Sequence, residues 1–597
     1  MKTILYKIKL MLFIIMLLVS VMPVFADEGS EVPPITLNVK AGELRSLIPQ
    51  SKKNKITNLK LIGELNANDI MLIREMGGCP YRDYDDGPIL YYDGILQHLD
   101  ISDTKFVGDE KLVTYTGNRY GHYECPLMSG ERIFSEMKVL QTIKLPKSLT
   151  KMGSLFLANC SKLVSITLPS SLKEIDIDAI DNCYKLTSLL LDTDNPYYSS
   201  EGSVLFNKDK TELVFAVNLT NYVVPKSVLR IGKSCFKHCN GLTSLTLPSG
   251  LTEIGDNAFS SCRGLTSLNL PSGLKKIGSS AFSVCSGLTS LTLPSGLTEI
   301  EENVFWGCSG LTSLTLPSGL TRIGKGSFRD CSGLTSIVLP SGLTEISDGC
   351  FRDCSGLTSI VLPFGLTRIG ENSFRNCSGL TSLNLPSGLT EIGGGAFYNC
   401  SGLTSLSLSS GLTKIGRSAF YGCSGLTSLA FPSGLTEIGN YVFSRCSGLI
   451  SLTFPSELTE IGNYAFSGCS SLTSLTFPSG LTEIGEGAFS YDSNLRTIYA
   501  LMIAPPVIGK TVFYEVTKFA TLYVPVNSYT DYWLSDGWGD FKNIKTFDPT
   551  PVESVLTTDK ASELSRYNVY GQRQGKSIKG LNIVKMSDGS VKKIMVQ

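Results

Sequence analysis

Cysteine recurs every 23 residues along the middle of this chain, and this period constrains the fold more than any local pattern does. The unbroken series runs from Cys239 to Cys469, and Cys160 and Cys183 keep the same step upstream. A fixed period of roughly 20–50 residues is typical of solenoids, in which each unit packs only on its neighbours. We therefore predict a repeat solenoid.

Each unit contains two short extended pieces separated by a turn. The sequence LTSLTL at 242–247 has the pattern L-x-x-L-x-L, which predicts a strand with its leucines on one face. PSG at 248–250 predicts a turn, and LTEIG at 251–255 predicts a second extended piece. NAFSSC at 257–262 predicts a single helical turn that returns the chain to the next strand.

One unit alone is too small to fold. Ordering its backbone costs roughly 1–2 kcal/mol per residue, and its few large apolar side chains do not offset that cost until neighbouring units cover them. Stacked strands lie about 4.8 Å apart, so residues one period apart lie directly over one another. We call each such set of residues a column.

The unit CSGLTSLTLPSGLTEIG, followed by A-F, resembles the BspA-like leucine-rich-repeat family of bacterial surface proteins over residues 136–547. The resemblance implies a solenoid with one main parallel strand, a short extended piece and a helical turn per unit. It also implies an insertion at 192–224, where the sequence predicts a hairpin turning at 207–210. A closing unit is expected at 493–547.

The two ends of the chain differ from the repeats. Residues 1–26 have basic residues, an apolar run and a small-residue site ending at Ala26, which predict a signal peptide; a membrane anchor is the alternative. Residues 27–135 are interpreted as an N-terminal cap of degenerate leucine-rich repeats. A linker at 548–555 precedes strand-like runs at 556–597, which resemble a type IX secretion sorting signal; a small β end-cap is the alternative.

The overall charge argues against several classes of partner. The chain has 53 basic and 53 acidic residues, so its formal net charge is zero. Neither a nucleic-acid surface nor a general electrostatic attachment to lipid fits this balance. No segment after the first 26 residues is long and apolar enough to predict a membrane span. We expect a mature protein that is secreted or held on the outer surface of a Gram-negative bacterium.

Two columns favour a structural role. The strand position that begins with Ser244 is serine in every regular unit and is expected to face outward, giving a neutral surface. The column before the isoleucine alternates in sign and then stops: Arg230, Glu253, Lys276, Glu299, Arg322, Glu345, Arg368, Glu391, Lys414, Glu437, Glu460, Glu483. Opposite charges on adjacent strands stabilise a sheet, so a ladder that fixes register is favoured over an ionic binding strip.

A third column is the candidate binding site. It follows the phenylalanine of each unit, and its central members are Trp306, Arg329, Arg352, Arg375, Tyr398 and Tyr421. Trp, Tyr and Arg are enriched where protein interfaces concentrate their binding energy. Tyr441 and Tyr464 form another pair close by in sequence. The alternative is ordinary surface variation, with Asp330 and Asp353 pairing with the neighbouring arginines.

The cysteine column could form disulfides or remain as buried thiols. Adjacent units are within disulfide reach, and export would favour oxidation. Side chains stacked in parallel point the same way, however, and cysteine packs well as a small apolar residue, so buried thiols are favoured. Cys79 and Cys125 are the better candidates for a disulfide.

The patterns for cofactors are weak, and we predict no catalytic, cofactor or metal site. Cys235, His238 and Cys239 have the side chains of zinc ligands, but Cys235 lies in a column of small residues and a fourth ligand is missing. GKS at 232–234 and GKT at 509–511 lack the glycine that a phosphate-binding loop needs.

Three functions remain open at this stage. The family resemblance implies an adhesin-like protein that binds host matrix or other protein partners. A structural or assembly module without a tight ligand is the second hypothesis. An enzyme is the third, with a site in the N-terminal region among Asp83, Asp85, Asp86, His98 and His122.

Overall fold

The computed structural model describes residues 33–81, 90–108, 111–115, 122–176, 178–217, 219–548, 563–567, 573–574, 580–586 and 591–596. The predicted signal peptide lies outside these ranges. The chain divides into two compact units, Met1–Gly342 and Leu343–Gln597. Both are built from repeated parallel strands with little helix, so the predicted solenoid fold is confirmed.

The first unit begins with a six-stranded parallel sheet. Its strands are Ile35–Val39, Asn58–Leu65, His98–Phe106, Thr142–Lys144, Ser165–Leu168 and Ser188–Leu191. Helices Leu44–Leu47, Gln50–Lys53 and Ala67–Met76 lie between the first three strands in sequence. Asn66 caps the longest of them in a capping box with Asp69, whose buried carboxylate also accepts N–H groups from Gly42 and Leu44.

Shorter elements complete this N-terminal part. Pro80–Tyr81 pairs with Leu90–Tyr91, and Lys111–Tyr115 pairs with His122–Pro126, both antiparallel. A 3₁₀ turn occupies Leu127–Ser129, and Lys151–Met152 pairs in parallel with Glu174–Ile175.

A hairpin interrupts the repeats after Leu191. Strands Tyr198–Glu201, Val204–Asn207 and Glu212–Ala216 are antiparallel neighbours, and the last of them pairs in parallel with the next repeat strand, Arg230–Ile231. The turn is fixed by Asn207, whose side-chain oxygen accepts the N–H groups of Thr211 and Glu212 at 2.9 Å. The insertion therefore pairs with the repeats that follow it, while the six-stranded sheet before it ends at Ser188–Leu191.

Most regular repeats of the first unit carry two strands, and the repeat with Lys276–Ile277 carries the second strand alone. Their outward strands, which we call face strands, are Asn221–Val223, Ser244–Thr246, Ser290–Thr292, Ser313–Thr315 and Ser336–Val338. Their second strands are Arg230–Ile231, Glu253–Ile254, Lys276–Ile277, Glu299–Ile300 and Arg322–Ile323. Pairing runs from residue i to i+23, as in Ser290 with Ser313 and Glu299 with Arg322. The register that the cysteine period predicts is thus confirmed here.

The second unit repeats this arrangement and ends in a closing segment. Its face strands are Ser359–Val361, Ser405–Ser407, Ser428–Ala430, Ser474–Phe477, Thr497–Ala500, Thr521–Pro525 and Asn543–Phe547. Its second strands are Glu345–Ile346, Arg368–Ile369, Glu391–Ile392, Lys414–Ile415, Glu437–Ile438, Glu460–Ile461, Glu483–Ile484 and Val507–Ile508. A 3₁₀ turn at Val526–Ser528 and helix Tyr529–Leu534 precede Trp538, which is fully buried.

The final strands form a separate antiparallel sheet. They are Glu563–Tyr567, Arg573–Gln574, Gly580–Met586 and Val591–Val596, in the spatial order second, first, third, fourth. The predicted strand-like character of the C-terminal segment therefore matches its backbone.

The predicted helical turn after the second strand is wrong. In the unit at 257–262, alternate N–H groups leave the unit: Phe259 and Ser261 donate to Ala281 and Ser283 of the next unit, each at 2.7 Å. Asn257 and Ser261 have positive φ angles of 53° and 64°, which a helix does not tolerate. This turn segment is therefore a series of tight turns whose other N–H groups bond locally, and its side chains pack against the adjacent unit.

Phenylalanine rings and thiols fill the core beneath the turn segments. In the first unit the rings of Phe236, Phe259, Phe282, Phe305 and Phe328 stack with centroids 5.1–5.8 Å apart. In the second unit the rings from Phe351 to Phe489 stack at 5.1–5.5 Å. All of these rings are fully buried, and each makes offset contact with its own copies.

The cysteine column is buried, and its thiols are not joined in disulfides. Most thiols from Cys262 onward are aimed at a phenylalanine carbonyl 26 residues earlier, as in Cys285 to Phe259 at 3.0 Å and Cys423 to Phe397 at 3.2 Å. Because successive thiols point the same way, they do not pair with one another. Burial raises the pKa of Cys308 and that of Cys377 to about 12, so both thiols stay neutral at physiological pH.

The disulfide predicted between Cys79 and Cys125 is wrong. Cys79 is a free, buried thiol that lies 3.4 Å from the carbonyl oxygen of Ser135. Burial raises its pKa to about 11. It therefore packs as a core residue, as the column thiols do.

An aspartate ends the thiol column. Asp492 occupies the slot after Cys469 and is fully buried, and its Oδ1 accepts the Cys469 N–H at 2.7 Å. Burial raises the pKa of this carboxyl well above its usual range. Burial thus favours the protonated form of this side chain, which accepts the backbone N–H of the preceding unit.

Glycine in the CSGL motif marks the closest approach between units, and this gives a stability prediction. A Cβ at Gly425 would clash with the carbonyl oxygen of Ser401 in the preceding unit, whereas a Cβ at Gly434 meets no atom within 4 Å. We expect Gly425→Ala to lower the free energy of unfolding by roughly 1–3 kcal/mol, as overpacking does. Gly434→Ala should change it by less than about 0.5–1 kcal/mol. Urea denaturation of both variants checks this, and equal losses would contradict the tight register.

Candidate functional site

The face strands present a neutral surface with little chemistry. In each regular unit the central Leu or Ile is buried and the residues on either side are exposed, as in Ser290–Thr292 and Ser428–Ala430. The prediction that the serine column faces outward is confirmed. The surface becomes apolar at Val361 and Phe364, which are 73% and 83% exposed. Hydroxyls and methyls at this surface offer no nucleophile–base pair.

The charged column forms ion pairs along the second strands. In the first unit Glu253 lies 3.6 Å from Arg230 and 3.7 Å from Lys276. In the second unit Glu391 lies 3.6 Å from Arg368 and 3.0 Å from Lys414. Each acid therefore neutralises the base of an adjacent strand, as the register-ladder interpretation predicts.

Three glutamates break this alternation. Glu437, Glu460 and Glu483 are direct neighbours in the parallel register. Partial burial, and then the carboxylates of Glu437 and Glu483, raise the pKa of Glu460. Like charges stacked at this spacing repel, so this end of the charged column is less stable than the rest.

The first unit holds two members of the predicted binding column. Trp306 is 39% exposed, and its Nε1 donates to Asp330 Oδ2 at 2.7 Å. The Arg329 guanidinium lies 6.0 Å from the centre of the Trp306 ring, and its Nε is 3.5 Å from the same Asp330 oxygen. One carboxylate thus orients both side chains and neutralises the arginine.

The second unit holds the other four members. Arg352 is paired with Asp353, whose Oδ2 is 3.1 Å from its Nε, and Asp353 Oδ1 accepts a 2.7 Å hydrogen bond from Asn376. Arg375 instead bonds the side-chain oxygen of Asn372 at 3.4 Å. The proposed pairing of arginines with Asp330 and Asp353 therefore describes Arg329 and Arg352, but not Arg375.

The remaining members form a four-layer stack. Arg375 lies 4.4 Å from the centre of the Tyr398 ring, and the Tyr398 and Tyr421 rings stack 4.6 Å apart at an angle of 9°. Arg445 covers the other side at 5.6 Å from the Tyr421 ring. The two tyrosine rings are therefore sandwiched between two guanidinium groups.

A second stack adjoins it in the repeat and includes a residue that the sequence analysis missed. Arg417 lies 4.9 Å from the Tyr441 ring, which stacks on Tyr464 at 5.0 Å. The Tyr464 hydroxyl donates to Glu486 at 2.8 Å. We name Arg375, Tyr398, Arg417, Tyr421, Tyr441 and Arg445 the Arg–Tyr surface. Arg417 and Arg445 were missed because they lie outside the predicted binding column. Each lies about one repeat unit from a tyrosine in the sequence, and this spacing identifies them.

The zinc-like motif is not organised as a metal site. Cys235 and Cys239 are buried in the core, while His238 faces Asp181 at 3.6 Å and meets the Tyr184 ring edge-on. Lys237 binds Asp178 and Asp181 at 3.3 and 3.2 Å in the same cleft. Within the described ranges, no group of three or more His, Cys, Asp or Glu side chains is placed to hold a metal ion.

The N-terminal residues of the enzyme hypothesis are only partly described. Asp83, Asp85 and Asp86 lie outside the described residues, as does the side chain of His122. His98 Nδ1 is 2.9 Å from the Thr142 hydroxyl in the parallel sheet. Across the part of the chain that the structure describes, no helix has the length and apolarity needed to cross a membrane.

The repeats match a known family model. The model for the BspA type leucine-rich repeat region matches residues 129–208, 211–334, 298–425 and 390–520, which is more than half of the chain. The chain belongs to the BspA-type leucine-rich repeat family. Among curated proteins, none matches it.

Several solved structures are similar to this BspA-type chain. A leucine-rich repeat protein from Bacteroides ovatus ATCC 8483 has 24% identity and a TM-score of 0.49 over 74% of this chain and 100% of its own. A leucine-rich cell surface protein from Faecalibacterium prausnitzii A2-165 has 27% identity and a TM-score of 0.34 over 52% and 96%. The leucine-rich repeat protein of T. pallidum has 26% identity and a TM-score of 0.27 over 40% and 91%.

The break in the charged column gives a prediction for this BspA-type solenoid. Glu460→Lys places a cation between Glu437 and Glu483, so it should raise the free energy of unfolding at pH 7 by about 0.2–1 kcal/mol. Glu457→Lys makes the same charge change at an exposed turn and should have a smaller effect. Chemical denaturation of the two variants measures the difference.

The gain should also depend on pH. The pKa of Glu460 is raised in the folded chain, so its contribution to the free energy of unfolding is more favourable in acid. That contribution is lost as the pH rises through the folded pKa. The advantage of Glu460→Lys over the parent should therefore be present at pH 7 and shrink in acid, where Glu460 of the parent is protonated and no longer repels its neighbours. An advantage that persists at pH 3 would show that it does not come from charge.

Proposed function

We propose that this chain is an exported, adhesin-like binding protein of the bacterial cell surface, which contacts host matrix or other protein partners. The proposal is supported by membership of the BspA-type family and by similarity to a leucine-rich cell surface protein. The scaffold also offers what protein binding needs, because an extended row of side chains is held rigidly by the stacked units below it.

The observation that carries this proposal is the row of aromatic and arginine side chains on the turn segments. Tyr398 and Tyr421 are partly exposed, stacked on each other and fixed between arginines. Side chains that are already ordered lose little conformational entropy on binding, so they favour tight contacts. A purely structural module has no need for such ordered groups at its surface, and this favours binding over the assembly alternative.

A pull-down with the mature chain tests the proposal. Immobilised residues 27–597 should retain specific proteins from an extracellular-matrix extract. Trp306→Ala, Arg352→Ala and Tyr398→Ala should each reduce retention by roughly tenfold if they remove interface anchors. Tyr529→Ala, at a partly exposed tyrosine of the closing segment, is the control and should retain as much as the parent.

The outcomes separate the hypotheses. A parent that retains nothing above a blank resin supports the structural module and contradicts the proposed binding function. Retention that is unchanged in all three variants leaves a binding protein whose contacts lie elsewhere, and it rules out the predicted binding column.

We also propose that residues 556–597 act as a type IX sorting signal that delivers the protein to the outer surface. The four antiparallel strands of this segment support a compact element distinct from the repeats. Deleting Ser554–Gln597 should leave the protein in the periplasm, as measured by protease accessibility and fractionation of intact cells. Continued display at the surface after the deletion would reject the sorting role.

A further inference from the structure

The turn segments of the second unit contain a run that is poor in acidic residues. The equivalent segments at 370–377, 393–400, 416–423, 439–446 and 462–469 together carry Arg375, Arg417 and Arg445 but a single acidic residue, Glu371. Four glutamates fall between residues 372 and 482, and all of them lie on the second strands or in the preceding turn. Although the formal net charge of the whole chain is zero, these turn segments carry three arginines and one glutamate, a local excess of two positive charges.

The three arginines of this run make no ion pair within the described residues. Arg417 and Arg445 lie over tyrosine rings, and Arg375 lies over Tyr398 and bonds Asn372. The carboxylate of Asp353, in the turn segment of the preceding unit, is occupied on both oxygens by Arg352 and Asn376. A guanidinium held flat on an aromatic ring keeps its in-plane N–H groups at its edge, where they can bind a carboxylate with two parallel hydrogen bonds.

We infer that the Arg–Tyr surface binds an acidic, extended segment of a protein partner, an inference that rests on the proposed binding function. Successive units lie about 4.8 Å apart, so the three guanidiniums span roughly 15 Å. An extended peptide rises about 3.3 Å per residue, so carboxylates on alternate residues of a five- or six-residue stretch match this span. The partner chemistry is thus a short run of alternating acidic side chains.

The tyrosines argue against a glycan as the partner. Sugar rings bind aromatic side chains through an open ring face, but both faces of Tyr398 and Tyr421 are covered by each other and by guanidinium groups. Tyr441 is likewise covered by Arg417 and Tyr464. Only ring edges, hydroxyls and amides such as that of the exposed Asn399 face outward, and these groups suit the polar backbone of a peptide.

Peptide binding to the mature chain, residues 27–597, tests this inference. The probe is a fluorescein-labelled octapeptide of alternating Glu and Ser. The control peptide has Gln in place of every Glu. Fluorescence anisotropy should show that the Glu peptide binds and that the Gln peptide does not. The triple variant Arg375→Gln, Arg417→Gln, Arg445→Gln should raise the Kd by about tenfold or more, and the parent's affinity should fall with added salt.

A matched triple variant controls for the loss of charge. Arg368→Gln, Lys414→Gln, Lys518→Gln removes three cations from the same unit, but each of them is ion-paired. It should raise the Kd by less than about threefold. Circular dichroism should show that both triple variants are folded. An equal loss in both, or equal binding of the Gln peptide, would overturn the inference.

Two further measurements separate the alternatives. A heparin-derived octasaccharide that binds through the three arginines while the Glu peptide does not would assign the surface to a sulfated glycan and overturn the peptide inference. In the matrix pull-down, a triple Arg375, Arg417, Arg445 variant that retains the same proteins as the parent would contradict this inference and leave the proposed function standing. A parent that retains no protein would contradict the proposed function itself.

Discussion

Close contact between the backbones of adjacent units is the constraint on which the rest of the structure depends. At Gly287 and Gly425 the neighbouring carbonyl leaves no room for a side chain, so the distance between units is set by backbone atoms. At that distance each side chain packs against copies of itself. Phenylalanine can satisfy this condition because its rings stack, and cysteine can because each thiol reaches a carbonyl of an earlier unit. The fidelity of the repeat follows from this geometry, since each unit must fit above and below an almost identical one.

Self-stacking also decides where charge can be placed. In the charged column, alternating signs avoid repulsion between adjacent strands. Where the alternation ends, burial and the neighbouring carboxylates raise the pKa of Glu460. The Arg–Tyr surface avoids it differently. Arg375, Arg417 and Arg445 occupy three different columns, so none of these guanidiniums stacks on another and each lies over a tyrosine. Tyrosines from two columns therefore support these positive charges without an ion pair, which leaves the charges available to an external anion.

Features that follow from stacking within one column can be predicted from the sequence. Features that depend on contacts between two neighbouring columns cannot. The outward serines, the ion pairs around Glu391 and the burial of Cys423 all follow from placing residue i over i+23. The predicted helical turn was wrong because alternate N–H groups of this segment donate to the next unit. Local helix propensity does not account for hydrogen bonds between units. Arg445 was not predicted for a related reason, because it contacts Tyr421, which lies in a different column.

These constraints imply where a BspA-type chain can evolve a binding surface. Core columns are fixed by stacking, and the glycines at the closest approach are fixed by space. The position after each phenylalanine lies in a turn segment whose shape is set by backbone hydrogen bonds to the next unit. A serine there is buried, as at Ser260 and Ser283, whereas the larger side chain of Trp306 is exposed. Residue type drifts there from serine to tryptophan, arginine and tyrosine. Binding specificity in such a solenoid therefore depends on the order in which successive turn segments present their side chains, because a partner contacts several of them at once.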